Sequence, residues 1–219
     1  MFAVVIPAYN AAETLPELFD LLLNLVEPRQ VILVDDGSVD ATAEVASRAR
    51  VNVSKHHHNL GKGKALQTGF NEFLRSDYEF VVTMDADLQH RPSDLPSFMN
   101  TQTESGADIV VGKRPRLGSS MPLHRMLSNT LTSSLVSMRT GKRMVDSQCG
   151  YRLIRREVLK QITLENNGYE AETEFIIKAA RKGFRIEFVP IQTVYGNEKS
   201  FMTNWKTTTQ FVKVLLKEY

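Results

Sequence analysis

Short apolar runs alternate with helix-patterned segments through the first half of this chain, and this alternation constrains its fold most. The runs are Phe2–Ile6, Val31–Val34, Val51–Ser54, Phe80–Met84 and Ile109–Gly112. They read as strands, a buried one at Phe2–Ile6, which Pro7 ends, and a weak one at Val51–Ser54. Between the first two, Asn10-Ala-Ala-Glu13 has capping-box spacing, and Leu15, Leu18, Phe19, Leu22 and Val26 follow a helical period. A second helix is expected from Ala41 to Ala49, capped by Ser38 or Asp40. A third follows the glycine turn Gly61–Gly63 as far as Leu74, and a fourth begins over Pro92–Asn100. Strand–helix alternation of this kind builds a mostly parallel sheet covered by helices on both faces.

The second half is looser. A basic loop over Lys113–Met121 precedes an expected helix over Pro122–Met138 and a strand over Cys149–Ile154. A helix over Glu170–Lys182, a strand over Phe184–Val189, a loop over Thr193–Asn204 and a helix over Trp205–Glu218 complete the reading. No repeat, low-complexity tract or linker divides the 219 residues, and 42% apolar content supplies a full core, so one α/β domain is expected. A formal net charge of +2 gives no global footprint for nucleic acid. Cys149 is the only cysteine, which rules out an intramolecular disulfide and favours a reducing compartment. Nothing near it supplies the base of a catalytic dyad, so it reads as a small buried apolar group. The start lacks a basic n-region, and no apolar stretch reaches the ~18 residues of a bilayer span. The expected location is cytoplasmic, with peripheral contact at the cytoplasmic membrane face left open.

Polar residues gather where the first-half strands end. Pro7-Ala8-Tyr9-Asn10 follows the first strand, Asp35-Asp36 the second, and Met84-Asp-Ala-Asp-Leu-Gln-His90 the fourth. In an open parallel sheet, ligands bind beyond the carboxyl ends of the strands, so three such ends argue for one nucleotide-sized site. Tyr9 offers a ring for a base or ribose, and Asp36 an acceptor for base N–H groups. Asp85, Asp87 and Gln89 stand at alternate positions, and in an extended segment alternate side chains share a face. Their oxygens suit a hard cation such as Mg²⁺ or Mn²⁺, which fills its other positions with water and phosphate.

The stretch Asn59-Leu-Gly-Lys-Gly-Lys64 reads either as a phosphate cradle at a helix start or as a glycine turn with solvated lysines. It lacks Walker spacing. His56-His57-His58 chelates poorly, because consecutive strand residues face opposite ways, and a surface strand end is expected there. On the last helix Val212, Leu215, Leu216 and Tyr219 share a side with basic neighbours. That stripe is expected to pack on its own domain, the alternative being a membrane surface.

Together the segments IPAYN at 6–10, VDDGSVDAT at 34–42, NLGKGKALQTGF at 59–70 and MDADLQHRP at 84–92 resemble family 2 glycosyltransferases of the GT-A fold. With Asp146-Ser-Gln-Cys-Gly150, the DADLQH form is similar to the dolichyl- or polyprenyl-phosphate mannose or glucose synthase branch. The resemblance implies a single GT-A domain with a nucleotide-binding half over residues 1–112 and an acceptor-binding half over 113–219. It implies that Pro7, Ala8, Tyr9, Glu13, Asp35, Asp36, Lys64 and Ala86 line the nucleotide-sugar site. Asp85, Asp87 and Gln89 would hold Mg²⁺ or Mn²⁺. Asp87, Arg114, Arg125 and Lys199 would serve catalysis, the two arginines meeting an acceptor phosphate and Lys199, with Tyr195 and Ser200, lying in a late closing loop. Many members carry transmembrane helices after this domain, and some relatives are catalytic subunits docked on small membrane partners.

The implied reaction moves mannose or glucose, from GDP-mannose or UDP-glucose, with inversion at the anomeric carbon. A lipid phosphate acceptor is already ionised near neutral pH, because its second pKa is about 6, and needs no strong base. A hydroxyl acceptor does need one. Asp146, Glu172 and Glu174 are the candidates, although Glu170, Glu172 and Glu174 also sit at a helix start, where the dipole favours carboxylates. Three readings therefore stand: transfer to polyprenyl phosphate, transfer to a soluble saccharide or other hydroxyl, and a non-catalytic nucleotide-sugar-binding subunit.

Overall fold

The computed structural model describes residues 1–115, 123–193 and 205–219, with the side chains of 123–125 and 205–208 outside that description. Seven strands form one sheet: β1 (Phe2–Ala8), β2 (Val31–Asp35), β3 (Asn52–Lys55), β4 (Phe80–Thr83), β5 (Ile109–Lys113), β6 (Arg152–Arg155) and β7 (Ile186–Pro190). Their order is β3-β2-β1-β4-β6-β5-β7. All neighbours are parallel except β6, which runs antiparallel to both β4 and β5. The chain winds outward from β1 to β3 and then returns to lay β4 on the other side of β1. That reversal places a switch point between β1 and β4, where open sheets of this kind leave a crevice.

The inner strands are apolar because they are covered on both sides, whereas the edge strand β3 is exposed or half-buried. Val4, Val5 and Ile6, Val31 to Val34, Val81 and Val82, and Ile109 to Val111 are all buried. Helices α1 (Leu15–Leu22), α2 (Thr42–Arg48), α3 (Lys62–Leu74) and α4 (Leu95–Ser105) alternate with the first five strands. Helix α1 packs on α2, whereas α3 packs on α6 (Arg156–Gln161) and α7 (Glu170–Arg181), so the sheet is covered from two sides. Two helices, α5 (Leu123–Thr140) and α8 (Trp205–Leu216), pack against each other and against α7. Among the described residues, no helix is long and apolar enough to cross a membrane.

The elements fall where the apolar pattern places them, with local corrections. Asn10 does not cap the first helix. It sits in the left-handed region at φ 51, its Oδ1 accepts from Val39 N–H at 3.0 Å, and the helix starts at Leu15. The short helix α6 was not legible, because six residues carry too little periodicity. Half of the expected stripe of the last helix packs: Leu215 and Tyr219 are partly buried against the core beside the buried Val214, whereas Val212 and Leu216 face outward.

Arg156 shows how the second half is anchored to the first. Its guanidinium donates to the carbonyls of Leu74 at 3.0 Å, Ser76 at 2.5 Å and Tyr78 at 2.8 Å, and to Phe73 at 3.3 Å. These carbonyls lie at and beyond the end of α3, where a cation also meets the negative end of the helix dipole; Phe73 O accepts from Ser76 as well.

Candidate active site

Three loops at the carboxyl ends of β1, β2 and β4 are tied together by hydrogen bonds. The backbone N–H groups of Asn10, Ala11 and Ala12 donate to Ser38 Oγ at 2.8 Å, Thr42 Oγ1 at 2.8 Å and Asp40 Oδ2 at 3.0 Å. The α2 N-cap position is Ala41, and Ser38 does not cap the helix: Ser38 and Asp40 instead capture the loop after β1. Asp40 also accepts from Thr42 N–H, which satisfies one donor of the α2 start. The third loop joins through Thr14, whose hydroxyl donates to Ala86 O at 2.6 Å.

The sequence-derived nucleotide residues take distinct places. Tyr9 and Glu13 are exposed, Pro7 and Lys64 are partly buried, and Ala8 and Ala86 are buried. Asp35 is fully buried; its Oδ1 accepts from Ser38 N–H at 2.9 Å, and Lys55 Nζ lies 3.4 Å from Oδ2. Asp36 is 3% exposed and accepts from Leu60 N–H at 2.9 Å and Gly61 N–H at 2.8 Å. Its Oδ1 also lies 2.6 Å from His56 Nδ1, whose ring reaches Thr68 Oγ1 with Nε2 at 2.9 Å. The carboxylate places a ring proton on Nδ1 and so orients the ring toward Thr68. Asp36 thus holds the Asn59–Gly61 loop in place, and His56 holds Asp36. The expectation of a surface strand end holds for His57 and His58, which are exposed, but not for His56.

The loop so held presents a lysine that the sequence reading passed over. Lys62 Nζ lies 2.6 Å from Asp85 Oδ1 and 3.0 Å from Glu172 Oε1, with the Tyr169 ring centroid 5.7 Å away. Burial works to lower its pKa, but the two carboxylates outweigh that and raise it, so the ammonium is fixed. Two glycines allow this triad. At Gly61, with φ +100, a Cβ would stand 2.4 Å from Asn167 O. At Gly150 a Cβ would meet Glu172 Oε1 at 2.8 Å and the Asp85 oxygens at 3.0 and 3.2 Å, so the carboxylates rest directly over bare backbone.

Asp85, Asp87 and Gln89 lie on one turn rather than an extended segment. Leu88 adopts φ 62, and Asp87 Oδ1 accepts from Gln89 N–H at 3.1 Å. His90 closes this turn: its Nδ1 accepts from Asp85 N–H at 3.3 Å, its ring stacks on Tyr151, and burial pushes its pKa down to about 4, so it is neutral at pH 7. Among the described residues no three His, Cys, Asp or Glu side chains gather as a metal site. The donor set still fits a hard cation, since Mg²⁺ is commonly held by one or two carboxylates with phosphate and water completing its shell. Asp85 already grips a positive charge over the Gly150 cradle.

On the acceptor side, Arg114 forms a bidentate pair with Asp146 at 2.8 and 2.7 Å, and both side chains are largely buried. The Arg125 side chain, Tyr195, Lys199 and Ser200 lie outside the described residues. None of the α7 carboxylates is a surface group. Glu174 accepts from Glu165 N–H at 2.9 Å and Asn166 N–H at 3.0 Å, Glu170 from Gly168 N–H at 3.3 Å, and Glu172 belongs to the Lys62 triad. Arg152, buried, donates to the carbonyls of Ser147, Cys149 and Glu172 and so pins the strip bearing Gly150. Cys149 is fully buried, and burial pushes its thiol up to about 12.

A reversing α/β sheet with acidic loops at its switch point is the architecture of GT-A glycosyltransferases. The structure aligns over 99% of its length, and 78% of the other chain, with glucosyl-3-phosphoglycerate synthase from Mycobacterium tuberculosis solved with Mn²⁺, uridine diphosphate and glucosyl-3-phosphoglycerate. The TM-score is 0.79 at 20% identity, a likeness of fold. The sequence goes further: residues 3–163 match the model of glycosyl transferase family 2, and the chain belongs to that family. It is 32% identical to the polyprenol monophosphomannose synthase of Mycolicibacterium smegmatis, across 86% of this chain and 75% of that protein. It is 34% identical to the undecaprenyl-phosphate mannosyltransferase of Micrococcus luteus, across 87% and 82% respectively. The protein is a glycosyltransferase of the polyprenyl-phosphate sugar synthase-like branch.

Proposed function

We propose that this glycosyltransferase moves a hexose, mannose or glucose, from a nucleotide diphosphate sugar to a polyprenyl phosphate, with inversion and with Mg²⁺ or Mn²⁺. The observation that carries the reading is the Asp85 carboxylate at the β4 end, held over Gly150 and paired with a buried ammonium. The names of the two curated relatives support the lipid acceptor.

In this reading residues 1–112 hold GDP-mannose or UDP-glucose and residues 113–219 receive the acceptor. Tyr9 offers its exposed ring to the nucleoside, and the Asp36–His56 pair keeps Lys62 and Lys64 turned to the diphosphate. Asp85, Asp87 and Gln89 would hold the divalent ion, which when bound supplies Lewis-acid neutralisation of the departing diphosphate. Lys199 would add a second cation from the late loop and exclude water. Arg114 and Arg125 would orient the acceptor phosphate by bidentate hydrogen bonds. Access to the acceptor comes through peripheral membrane contact or through a small anchoring subunit.

A hydroxyl acceptor is the second reading, and one observation favours it. The Arg114 fork is already filled by Asp146, and a phosphate must displace that carboxylate to use it. The test is incubation of purified protein with each sugar nucleotide, Mn²⁺ and a short-chain polyprenyl phosphate. An organic-extractable glycolipid is expected. Turnover only with a soluble saccharide overturns the lipid acceptor, and nucleotide binding without any turnover points to an accessory subunit.

A further inference from the structure

Among the described Phe and Tyr side chains two are exposed, Tyr9 at 49% and Tyr169 at 39%, and both border the crevice. Tyr9 follows β1, and Tyr169 stands at the N-cap position of α7. The two rings have different neighbours. Tyr169 lies beside the Lys62 ammonium, with 5.7 Å between Nζ and the ring centroid, and that ammonium pairs with Asp85 and Glu172. Burial is the first cause raising the pKa of the Tyr169 hydroxyl, and the charges of Lys62, Asp85, Glu172 and Asp87 all reach it. An open aromatic ring thus stands at the acidic end of the crevice, on an element of the second half of the chain.

The mount of this ring is fixed from both sides. Before it, Glu174 accepts from the backbone N–H groups of Glu165 and Asn166, and Asn167 O accepts from Lys64 N–H at 3.2 Å, which ties the segment to the start of α3. After it, Tyr169 O accepts from Glu172 N–H at 3.2 Å. A ring held in this way is in place before a ligand arrives. Position along the ligand says what it meets. A diphosphate seated at Asp85 and Asp87 carries its nucleoside on one phosphate and its sugar on the other. With Tyr9 at the nucleoside end, a ring beside Lys62 and Asp85 faces the sugar end. A hexose has a face of polarised C–H groups, which suits the electron-rich face of an aromatic ring. Lys62 takes one face of Tyr169 as a cation does, and the opposite face is left for the sugar.

We propose that Tyr169 is a substrate-contacting residue whose ring stacks on the C–H face of the hexose being transferred. The inference deepens the sugar-nucleotide reading of the site and rests on it. The stacked ring orients the anomeric carbon toward the acceptor half, while the Lys62 ammonium on its other face stays with the diphosphate.

The test is calorimetric titration of wild type, Tyr169→Ala and Tyr169→Phe, in Mn²⁺, with UDP-glucose and GDP-mannose and with UDP and GDP alone. The position is exposed, so both variants are expected to keep their circular dichroism and melting temperature. Tyr169→Ala is expected to bind the sugar nucleotide about tenfold more weakly. Its affinity for the parent diphosphate is expected to stay within about twofold of wild type. Tyr169→Phe, which keeps the ring, is expected to match wild type with both ligands. Equal losses for the diphosphate and its sugar conjugate overturn the proposal, since they place the ring on the diphosphate through Lys62. A loss in Tyr169→Phe as large as in Tyr169→Ala overturns stacking in favour of the hydroxyl. Unchanged sugar-nucleotide binding in Tyr169→Ala with a raised KM for short-chain polyprenyl phosphate overturns it too, because the ring then serves the acceptor. Failure of wild type to bind any of the four ligands is a different result: it removes the sugar-nucleotide reading itself, and the role of Tyr169 falls with it.

Discussion

Lys62 and Asp85 form a 2.6 Å ion pair at the mouth of the β1–β4 crevice, so an ammonium of the chain itself occupies one of the carboxylates expected to bind metal. Any cation arriving at Asp85 competes with it. Lys62→Met removes the competitor, and we expect the nucleotide-free variant to bind Mn²⁺ about tenfold more tightly, a difference of about 1.4 kcal/mol. Calorimetric titration with Mn²⁺ alone measures this. Unchanged or weaker binding contradicts the competition.

Gly150 has no room for a side chain beneath the Asp85 and Glu172 carboxylates. A methyl at that point forces those oxygens to give by several tenths of an ångström, and misplacement approaching ~1 Å lowers rates by as much as about 100-fold. Gly150→Ala is expected to lose activity on that order while keeping a cooperative melt. Wild-type kcat/KM in this variant contradicts the placement.

His56 touches no part of the crevice directly but donates to Asp36, which holds the loop carrying Lys62. Hydrogen bonds to charged groups are worth about 1.5–3 kcal/mol. We expect His56→Ala to raise the KM for the sugar nucleotide about tenfold with little change in kcat. A fall in kcat at unchanged KM assigns His56 to the chemistry instead.

Arg156 donates to four carbonyls at and beyond the end of α3, and its guanidinium lies 4.7 Å from the Phe73 ring centroid. Removing it takes this donor from the Leu74, Ser76 and Tyr78 carbonyls, while Phe73 O keeps its bonds from Ser76. Arg156→Ala is expected to reduce unfolding free energy by about 2–4 kcal/mol, read from urea denaturation, with kcat unchanged in the folded protein. A loss below 1 kcal/mol contradicts the anchoring role.

The centre of the sheet was legible because its strands are buried on both faces and therefore apolar, as at Val31–Val34. The strand-end loops were legible for the same reason: Asp35-Asp36 and Asp85–Gln89 interrupt those runs abruptly. Periodicity locates a helix without saying which way it faces. The leucines of α5 look like a core stripe and point outward, because hydrogen-bonded serines fill the inner side. Lys62 was passed over because its partners, Asp85 and Glu172, are remote in sequence, and its neighbour Lys64 looked equivalent. His56 was misplaced because three consecutive histidines suggest a solvated end. The only signal for its burial was the Thr68 and Asp36 that meet it in space.

The central claim is metal-dependent transfer to a lipid phosphate, and Asp87→Asn with wild type as control tests it most directly. Purified protein, Mn²⁺, sugar nucleotide and short-chain polyprenyl phosphate are combined, and the organic-extractable product is measured with and without chelator. Wild type is expected to form the glycolipid only with the divalent ion, and Asp87→Asn to form it about 100- to 1,000-fold more slowly. Glycolipid formed at equal rates by both proteins, or in the presence of chelator, contradicts the account.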